Sequence, residues 1–138
     1  MENVFYERVC YADTDAYGVV WHGTYLRWLE KGRVLFCENL GLDLTKLLKQ
    51  NIILPVTSIN IKYKASAKLN DNIKITTKMS KKTVLSAAFL QTVTDKENDK
   101  LFVKAEVEIA AISNEGKLYR KFPEILDRAF SEDILCSG

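Results

Sequence analysis

The chain has 138 residues, a length that favours one domain, and we interpret residues 1–138 as a single domain. At 47% hydrophobic and 28% charged residues its composition is ordinary for a globular protein, and a net charge of +2 gives no overall field favouring nucleic acid or a membrane surface. One histidine and three scattered cysteines (Cys10, Cys37 and Cys136) exclude a His-rich metal site within one chain, a Cys-x-x-Cys motif and a disulfide framework.

The sequence also bears on the compartment. Charged residues interrupt the N-terminal stretch, which breaks any signal-peptide hydrophobic region. No apolar run approaches the ~20 residues needed to span a bilayer. Unpaired cysteines favour a reducing compartment. We therefore expect a cytoplasmic protein without a membrane span.

The N-terminal part of the chain predicts a strand, a loop and one long helix. Aromatic and β-branched residues mark the strand, and Asp, Thr and Gly mark the loop. Apolar residues then recur at helical spacing, with Thr24 as a candidate N-cap and Gly41 following the last turn. In chain order these elements fall at residues 3–11 (strand), 12–23 (loop), 25–40 (helix) and 42–50 (a short second helix).

After Ile52 the apolar period changes from that of a helix to that of a strand. A polar turn is expected at 114–116, and Pro123 is placed to open a terminal helix. The predicted strands are residues 59–64, 73–78, 84–94 and 101–109. Their connections are too short for parallel crossovers, so the sheet should be mostly antiparallel. One long helix lying on such a sheet predicts a two-layer α+β domain.

Residues 11–33 place an acid-rich loop directly before the helix. Asp13 and Asp15 are carboxylates two positions apart, and His22 provides an imidazole just before the helix. The first turn of a helix offers free N–H groups that can hold an anion or polarise a carbonyl. A carboxylate beside oriented donors is the arrangement that acyl transfer requires, because the donors stabilise the oxyanion while the carboxylate attacks or activates water.

This segment resembles the hotdog-fold acyl-CoA thioesterases, in particular the YbgC branch of the 4-hydroxybenzoyl-CoA thioesterase family. The resemblance covers nearly the whole chain. A second matching segment reads Tyr63-Lys64-Ala65-Ser66-Ala67. The main motif reads Tyr11-x-Asp13-Thr14-Asp15-x-x-Gly18-Val19-Val20-x-His22-x-x-Tyr25, followed by Glu30 and Arg33.

The resemblance implies a hotdog fold, in which a curved, mostly antiparallel sheet of five to six strands wraps one long central helix. It implies a dimer or tetramer with active sites at subunit interfaces, an acyl group delivered on coenzyme A or on acyl carrier protein, and no metal or cofactor. The catalytic carboxylate would be Asp15, with Tyr11 and His22 beside it. N–H groups near Gly23, Thr24 and Tyr25 would hold the acyl carbonyl.

Several of these residues have a structural interpretation as well. Asp15 and Asp13 can each order a turn, and we assign that role to Asp13. Glu30 and Arg33 lie three apart, the spacing of an intrahelical ion pair. Cys10 is a poor nucleophile candidate, because in an extended strand it points away from Tyr11.

Residues 60–82 carry seven lysines and one acid. Lys62, Lys64 and their neighbours could attract coenzyme A phosphates or an acidic carrier protein. The same lysines could equally form a solvated strand face that discourages edge-to-edge aggregation.

Three other functions fit parts of the sequence. A hotdog dehydratase or hydratase would use an Asp–His pair for proton transfer. A non-catalytic acyl-thioester binding module would keep the fold without turnover. A phosphatase would use Asp13-Thr14-Asp15 after a first strand, but it would require alternating strands and helices around a parallel sheet.

Overall fold

Five strands form one antiparallel sheet in the computed structural model, which describes residues 1–135. The strands are β1 (Glu2–Arg8), β2 (Val56–Tyr63), β3 (Asn72–Lys82), β4 (Ser86–Asp95) and β5 (Leu101–Ala110). Their spatial order is β1-β3-β4-β5-β2, and each adjacent pair is antiparallel. The antiparallel sheet predicted from the short connections is confirmed, and the parallel sheet that the phosphatase interpretation needs is absent from these residues.

The helices pack against one face of this sheet. The long helix α1 (His22–Asn39) contacts β1, β3 and β4. Helices α2 (Leu44–Lys49) and α3 (Glu124–Ala129) are short, and Pro123 precedes α3 as predicted. Single 3-10 turns cover Tyr11–Asp13 and Glu132–Ile134. No helix among residues 1–135 is long and apolar enough to cross a bilayer.

Two of the boundaries that differ from those predicted lie next to the acid-rich loop. The first strand ends at Arg8 rather than at residue 11, because the chain turns where the Asp13 carboxylate accepts the Cys10 N–H at 2.9 Å. The orientation argument against Cys10 therefore does not hold. Helix α1 begins at His22 with Trp21 as its N-cap, so Thr24 is not the cap. The Thr24 side chain is buried and donates to the backbone oxygen of Asp13 at 3.2 Å.

A close approach fixes the middle of α1 on the sheet. A Cβ atom at Gly32 would lie 2.5 Å from Oγ1 of Thr77 on β3, so a larger residue would push the helix away. The fully buried Gln91 donates to Thr77 Oγ1 and to the backbone oxygen of Leu29, both at 2.8 Å. This buried network satisfies its polar atoms and holds α1 at a defined height above the strands.

The start of α1 is tied to the segment that follows β2. The Ala67 N–H donates to the hydroxyl of the buried Tyr25 at 2.9 Å, and the Val20 N–H donates to the Ala67 oxygen at the same distance. These bonds bring residues 63–67 against the loop that precedes α1. The two segments that carried the family resemblance therefore meet in space.

Strand β2 lies at an edge of the sheet. It pairs with β5 on one side and has no neighbouring strand on the other among residues 1–135. Except for Ile61, its residues are exposed, including the apolar Val56 and Ile59. An exposed edge of this length is a ready site for pairing with another strand.

Candidate active site

A pocket of about 390 Å³ lies where the loop before α1 meets the segment after β2. We call it the Asp15 pocket. One wall comes from the loop and the first turns of α1, and the other comes from the end of β2 and the residues after it. Its lining residues are Asp15, Val19, Val20, His22, Tyr25, Tyr63, Lys64, Ala65 and Ser66.

Asp15 is held by a tight turn and keeps one carboxylate oxygen open. Its Oδ1 accepts the Tyr17 N–H at 2.8 Å, and its backbone oxygen accepts the N–H of Gly18, whose φ of +78° suits glycine. Its Oδ2 has no hydrogen-bond partner among residues 1–135. The half-buried Asp15 lines the pocket, and its carboxylate keeps one oxygen that no other described residue engages.

Both carboxylate oxygens of Asp13 have a bonding partner. Its Oδ2 accepts the Cys10 N–H at 2.9 Å, and its Oδ1 forms an ion pair with Arg27 at 2.6 Å. The Asp13 side chain is 9% exposed and does not line the Asp15 pocket. These contacts agree with the loop-ordering role assigned to Asp13.

The N-terminus of α1 leaves donors free beside the pocket. Trp21 occupies the N-cap position and has no side-chain oxygen with which to accept a hydrogen bond from the first turn. Its backbone oxygen accepts the Thr24 N–H at 2.9 Å. Within residues 1–135, the N–H groups of His22 and Gly23 have no acceptor. These two amides, at the positive end of the helix dipole, are suited to bind a carbonyl oxygen that gains negative charge.

Tyr63 is a pocket residue that the sequence did not single out. Its hydroxyl donates to the backbone oxygen of His22 at 3.3 Å, and its ring lies 6.4 Å from the imidazole and 5.8 Å from the Tyr25 ring. Burial raises the pKa of Tyr63 and, mainly for the same reason, that of Tyr25, so both hydroxyls remain protonated near neutral pH. The match of residues 63–67 to the family was the sequence feature that pointed to this region. The alternation of apolar and polar residues in the strand gave no reason to assign Tyr63 a site role.

Not all predicted site residues meet in this pocket. Asp15, His22, Tyr25 and Lys64 line it, whereas Gly23 and Thr24 lie beside it in the first turn of α1. Tyr11 is 81% exposed and is not part of the lining.

Three further residues considered from the sequence also lie elsewhere. Cys10 is exposed outside the lining, and its thiol lies 3.5 Å from the Arg8 backbone oxygen. Glu30 and Arg33 line a separate cavity, and the ion pair considered between them does not form. No group of three or more His, Cys, Asp or Glu side chains within residues 1–135 is arranged to hold a metal ion.

Comparison with known proteins identifies the family. Residues 9–130 match the model of the thioesterase-like superfamily, and the chain belongs to this family. It is 32% identical to the acyl-CoA thioesterase YbgC of Haemophilus influenzae over 89% of the chain and 90% of that protein. It is 28% identical to the acyl-CoA thioester hydrolase YbgC of Escherichia coli O157:H7 over 91% of the chain and 92% of that protein.

A solved structure agrees with these relatives. The DHNA-CoA thioesterase from Staphylococcus aureus superposes with a TM-score of 0.82 at 30% identity, covering 94% of this chain and 83% of that one. The resemblance to hotdog-fold, YbgC-type thioesterases and the α+β hotdog architecture are both confirmed.

Proposed function

We propose that this protein hydrolyses acyl-CoA thioesters in the Asp15 pocket. The observation that carries the proposal is the joint position of an open carboxylate oxygen on Asp15 and two unpaired helix amides, on His22 and Gly23. The similarity to acyl-CoA thioesterases over about nine-tenths of the chain supports the same reaction.

In the proposed mechanism the thioester carbonyl oxygen accepts hydrogen bonds from the His22 and Gly23 N–H groups. Asp15 Oδ2 either attacks the carbonyl carbon or removes a proton from an attacking water molecule. The tetrahedral intermediate carries its negative charge on the oxygen held by the amides. In the activated-water route its collapse breaks the carbon–sulfur bond, Asp15 returns the proton to the departing thiolate, and the acyl group becomes a carboxylic acid. In the direct-attack route the collapse also breaks the carbon–sulfur bond, the thiolate takes a proton from solvent, and the acyl group stays bound to Asp15 as an anhydride. In the direct-attack route, water then hydrolyses the acyl–Asp15 anhydride.

The other predicted site residues receive supporting roles. His22 orients the substrate or water through its exposed imidazole. Tyr25 shapes the pocket wall, and Thr24 holds the helix start against the loop through its bond to Asp13. Tyr11 is assigned a contact with bound substrate, because its exposed phenol leaves it free to meet a molecule that enters from solvent.

We assign binding of the carrier, coenzyme A or acyl carrier protein, to lysines near the mouth of the pocket. Lys64 lines both the Asp15 pocket and a groove of about 470 Å³ that also includes Lys62 and Lys104. Lys62 and Lys104 stand directly opposite each other on β2 and β5, and neither has an ion-pair partner within residues 1–135. Like charges in this position repel, so phosphates of coenzyme A would relieve the repulsion. Acidic groups on acyl carrier protein are the alternative occupant.

We propose a homo-oligomer, either a dimer or a tetramer. The exposed edge of β2 supports edge-to-edge pairing of two sheets, and the exposed Val56 and Ile59 would be covered. We also propose a cytoplasmic location, because the described cysteines, Cys10 and Cys37, are free thiols.

One contact favours a second candidate function. The bond from the Tyr17 N–H to Asp15 Oδ1 is the kind that a purely structural turn residue makes. A non-catalytic acyl-thioester binding module would retain that bond.

The deciding experiment measures thiol release from a panel of short-chain, long-chain and aromatic acyl-CoAs, together with acyl carrier protein thioesters. We expect saturable turnover of at least one acyl-CoA. Binding without turnover across the panel would favour the binding module. Formation of a hydrated or dehydrated thioester would favour a hydratase or dehydratase.

A further inference from the structure

The turn between β3 and β4 carries two adjacent apolar side chains that face water. Val84 is 66% exposed and Leu85 is 43% exposed. Both lie in the three-residue connection 83–85, where glycine, proline or small polar residues are the usual choice. The fold itself gains nothing from apolar side chains in this position. Their exposure therefore indicates a surface at which another molecule binds.

The backbone of this turn is largely bonded within the protein. The Thr83 N–H donates to the Ser86 backbone oxygen at 2.8 Å, and the Phe122 N–H donates to the Val84 oxygen at 2.9 Å. The Oγ1 atom of Thr83 accepts the N–H groups of Leu85 and Ser86 at 3.2 and 3.0 Å. Because these groups already have partners, moving the turn into a less polar environment costs little lost hydration.

Three cations without an ion-pair partner lie next to this turn. Lys81 precedes it near the end of β3, and the bond between Phe122 and Val84 brings the exposed Arg120 and Lys121 alongside it. None of the three cations forms an ion pair within residues 1–135. The whole chain has a net charge of only +2, so this positive surface is a local feature. We call residues 83–85 together with the three cations the basic tip.

The acids of the neighbouring helix α3 do not cancel this charge. Asp127 forms an ion pair with Lys82 at 2.6 Å, and Glu124 forms one with Arg128. Each acid of α3 is therefore matched by a base that does not belong to the basic tip. The basic tip combines an apolar end with positive charge that these acids leave without a partner.

We propose that the basic tip docks the protein on an anionic lipid surface. Its cations would contact lipid phosphates, while Val84 and Leu85 enter the boundary between headgroups and acyl chains. A protruding turn needs a partner that closes around it, and a lipid surface deforms to do so. A second copy of this chain is disfavoured at this position, because two basic tips repel each other. The proposal goes beyond thioester hydrolysis and does not depend on it.

The basic tip and the Asp15 pocket lie at opposite ends of β3. Lys68, four residues before β3 begins at Asn72, forms a bridge with Val19 of the pocket lining. The other end of β3, at Lys82, leads into the basic tip. The 11 residues of the strand span about 30 Å. Docking at the basic tip therefore need not block the pocket.

The test is sedimentation of the full chain with two kinds of vesicle, phosphatidylcholine alone and phosphatidylcholine mixed with phosphatidylglycerol. We expect binding to the mixed vesicles at low ionic strength to be at least about tenfold stronger than to the neutral ones, and to weaken as salt is added. Equal binding to both kinds of vesicle, or no binding to the mixed vesicles, would overturn the proposal.

Two variants separate the apolar and basic contributions. Val84→Ser with Leu85→Ser keeps the backbone bonds of the turn and should weaken binding to mixed vesicles about tenfold or more. Lys81→Gln with Arg120→Gln and Lys121→Gln should weaken it by a similar factor and flatten its salt dependence. All five side chains are exposed, so these changes spare the core. Unchanged binding in either variant would refute the proposed surface.

Tyr17→Ser is the matched control, because Tyr17 is 90% exposed and lies in the loop that forms the Asp15 pocket. It should bind mixed vesicles as the wild type does, and a loss as large as that of the paired serine variant would contradict docking at the basic tip. Without vesicles, Val84→Ser with Leu85→Ser should release thiol from acyl-CoA at the wild-type rate. Loss of docking and loss of hydrolysis therefore remain distinguishable.

Light scattering and a soluble polyanion test the other occupants. If Val84→Ser with Leu85→Ser changed the molar mass while the wild type ignored mixed vesicles, the basic tip would be a contact between copies of the chain. If the wild type bound polyglutamate as tightly as mixed vesicles, and the serine variant altered neither, an acidic protein would be the partner. Either result would replace the lipid surface.

Discussion

Arg27 forms an ion pair with Asp13 in which Nη2 and Oδ1 are 2.6 Å apart, whereas no such partner within residues 1–135 reaches Asp15, two residues further along. The two carboxylates of the Asp-x-Asp pair therefore stand in different environments. Both carboxylate oxygens of Asp13 are bound, one by the Cys10 N–H and the other by Arg27, whereas Asp15 in the pocket has one oxygen without a partner among residues 1–135. This difference predicts opposite consequences for the same chemical change at the two positions.

Asp15→Asn should abolish most of the activity and leave the fold intact. Asparagine keeps an oxygen that can accept the Tyr17 N–H, so the turn is preserved. It removes the negative charge that attack or base catalysis requires. We expect kcat to fall by about 10²–10⁴-fold, the usual range for a single catalytic group. Thioesterase assays and thermal unfolding of the same preparation measure both effects.

Asp13→Asn is the matched control. It should retain most of the activity and lower the free energy of unfolding by about 1–2 kcal/mol, because it weakens the contacts with Arg27 and Cys10. A folded but inactive Asp13→Asn protein beside a fully active Asp15→Asn protein would reverse our assignment of the two carboxylates. A separate experiment on the wild type, single-turnover hydrolysis in ¹⁸O-labelled water, tests direct attack, because label enters Asp15 only if an acyl–Asp15 anhydride forms and water attacks its Asp15 carbonyl carbon.

His22→Ala tests the imidazole separately from the backbone. The amide of residue 22 remains available in the variant, so a loss of rate reports the side chain. We expect turnover to fall by roughly one to three decades, within the range of acid–base assistance. His22→Asn keeps a polar side chain and should recover part of the rate if the role is to orient water. Wild-type turnover in His22→Ala would remove the imidazole from the mechanism.

Residues close together in sequence were predicted better than residues brought together by the sheet. The motif from Asp13 to Tyr25 predicted that Asp15 and His22 would lie in one site, and both line the same pocket because loop and helix are consecutive. Tyr63 lies 41 positions from His22 and reaches it through the position of β2 at the sheet edge. No local pattern contains that information.

The predicted start of α1 was wrong, because the sequence rules consider only local capping preferences. Sequence rules seek a capping oxygen at the N-cap, and Thr24 offers the first one after the loop. The helix begins earlier, at His22, where Trp21 provides no side-chain cap. An uncapped helix is less stable by local criteria, but it leaves amides free. The failure of the local rule therefore coincides with the candidate site, as expected where function departs from the best local choice.

Gly23→Ala should impair catalysis by moving Trp21. An added Cβ would lie 2.2 Å from Cζ3 of the indole, so the ring must shift, and this ring is 5.1 Å from that of His22. Because Trp21 is half-exposed, the shift should cost little stability, and we expect kcat to fall about 10- to 100-fold with a changed tryptophan fluorescence. If displacement of the Trp21 ring is the cause, the double variant Gly23→Ala with Trp21→Ala should have the same kcat as Trp21→Ala alone. Additive losses in the double variant would assign the effect to the backbone instead.

The lysine assignment predicts a salt effect on substrate binding. Raising the ionic strength from about 50 to 300 mM should increase KM for acyl-CoA by about threefold or more with little change in kcat, because exposed charges are screened. The paired change Lys62→Gln with Lys104→Gln should raise KM at low salt and flatten this dependence. Lys49→Gln on α2, away from the groove, is the control and should behave as the wild type. A KM that did not change with salt would show that Lys62 and Lys104 are ordinary surface charges without a role in substrate binding.

The buried thiol of Cys37 should be inert at neutral pH and should make the fold sensitive to alkali. Burial raises its pKa from an ordinary 9.0 to about 12, and the opposing effect of Arg33 is smaller. In a Cys136→Ser background, which removes the cysteine outside the described residues, a thiol reagent at pH 8 should modify the exposed Cys10 and spare Cys37 until the protein unfolds.

The same thiol predicts a pH dependence of stability. Because the pKa of Cys37 is raised in the folded state, the contribution of the protonated thiol to the free energy of unfolding is complete below pH 9 and is lost as the pH rises towards about 12. The free energy of unfolding should therefore fall less steeply above pH 9 in Cys37→Ala than in the parent, even though the variant starts lower because of the cavity it creates. Equal slopes, or native labelling of Cys37 as fast as that of Cys10, would show that the thiol is more accessible than its buried position on α1 indicates.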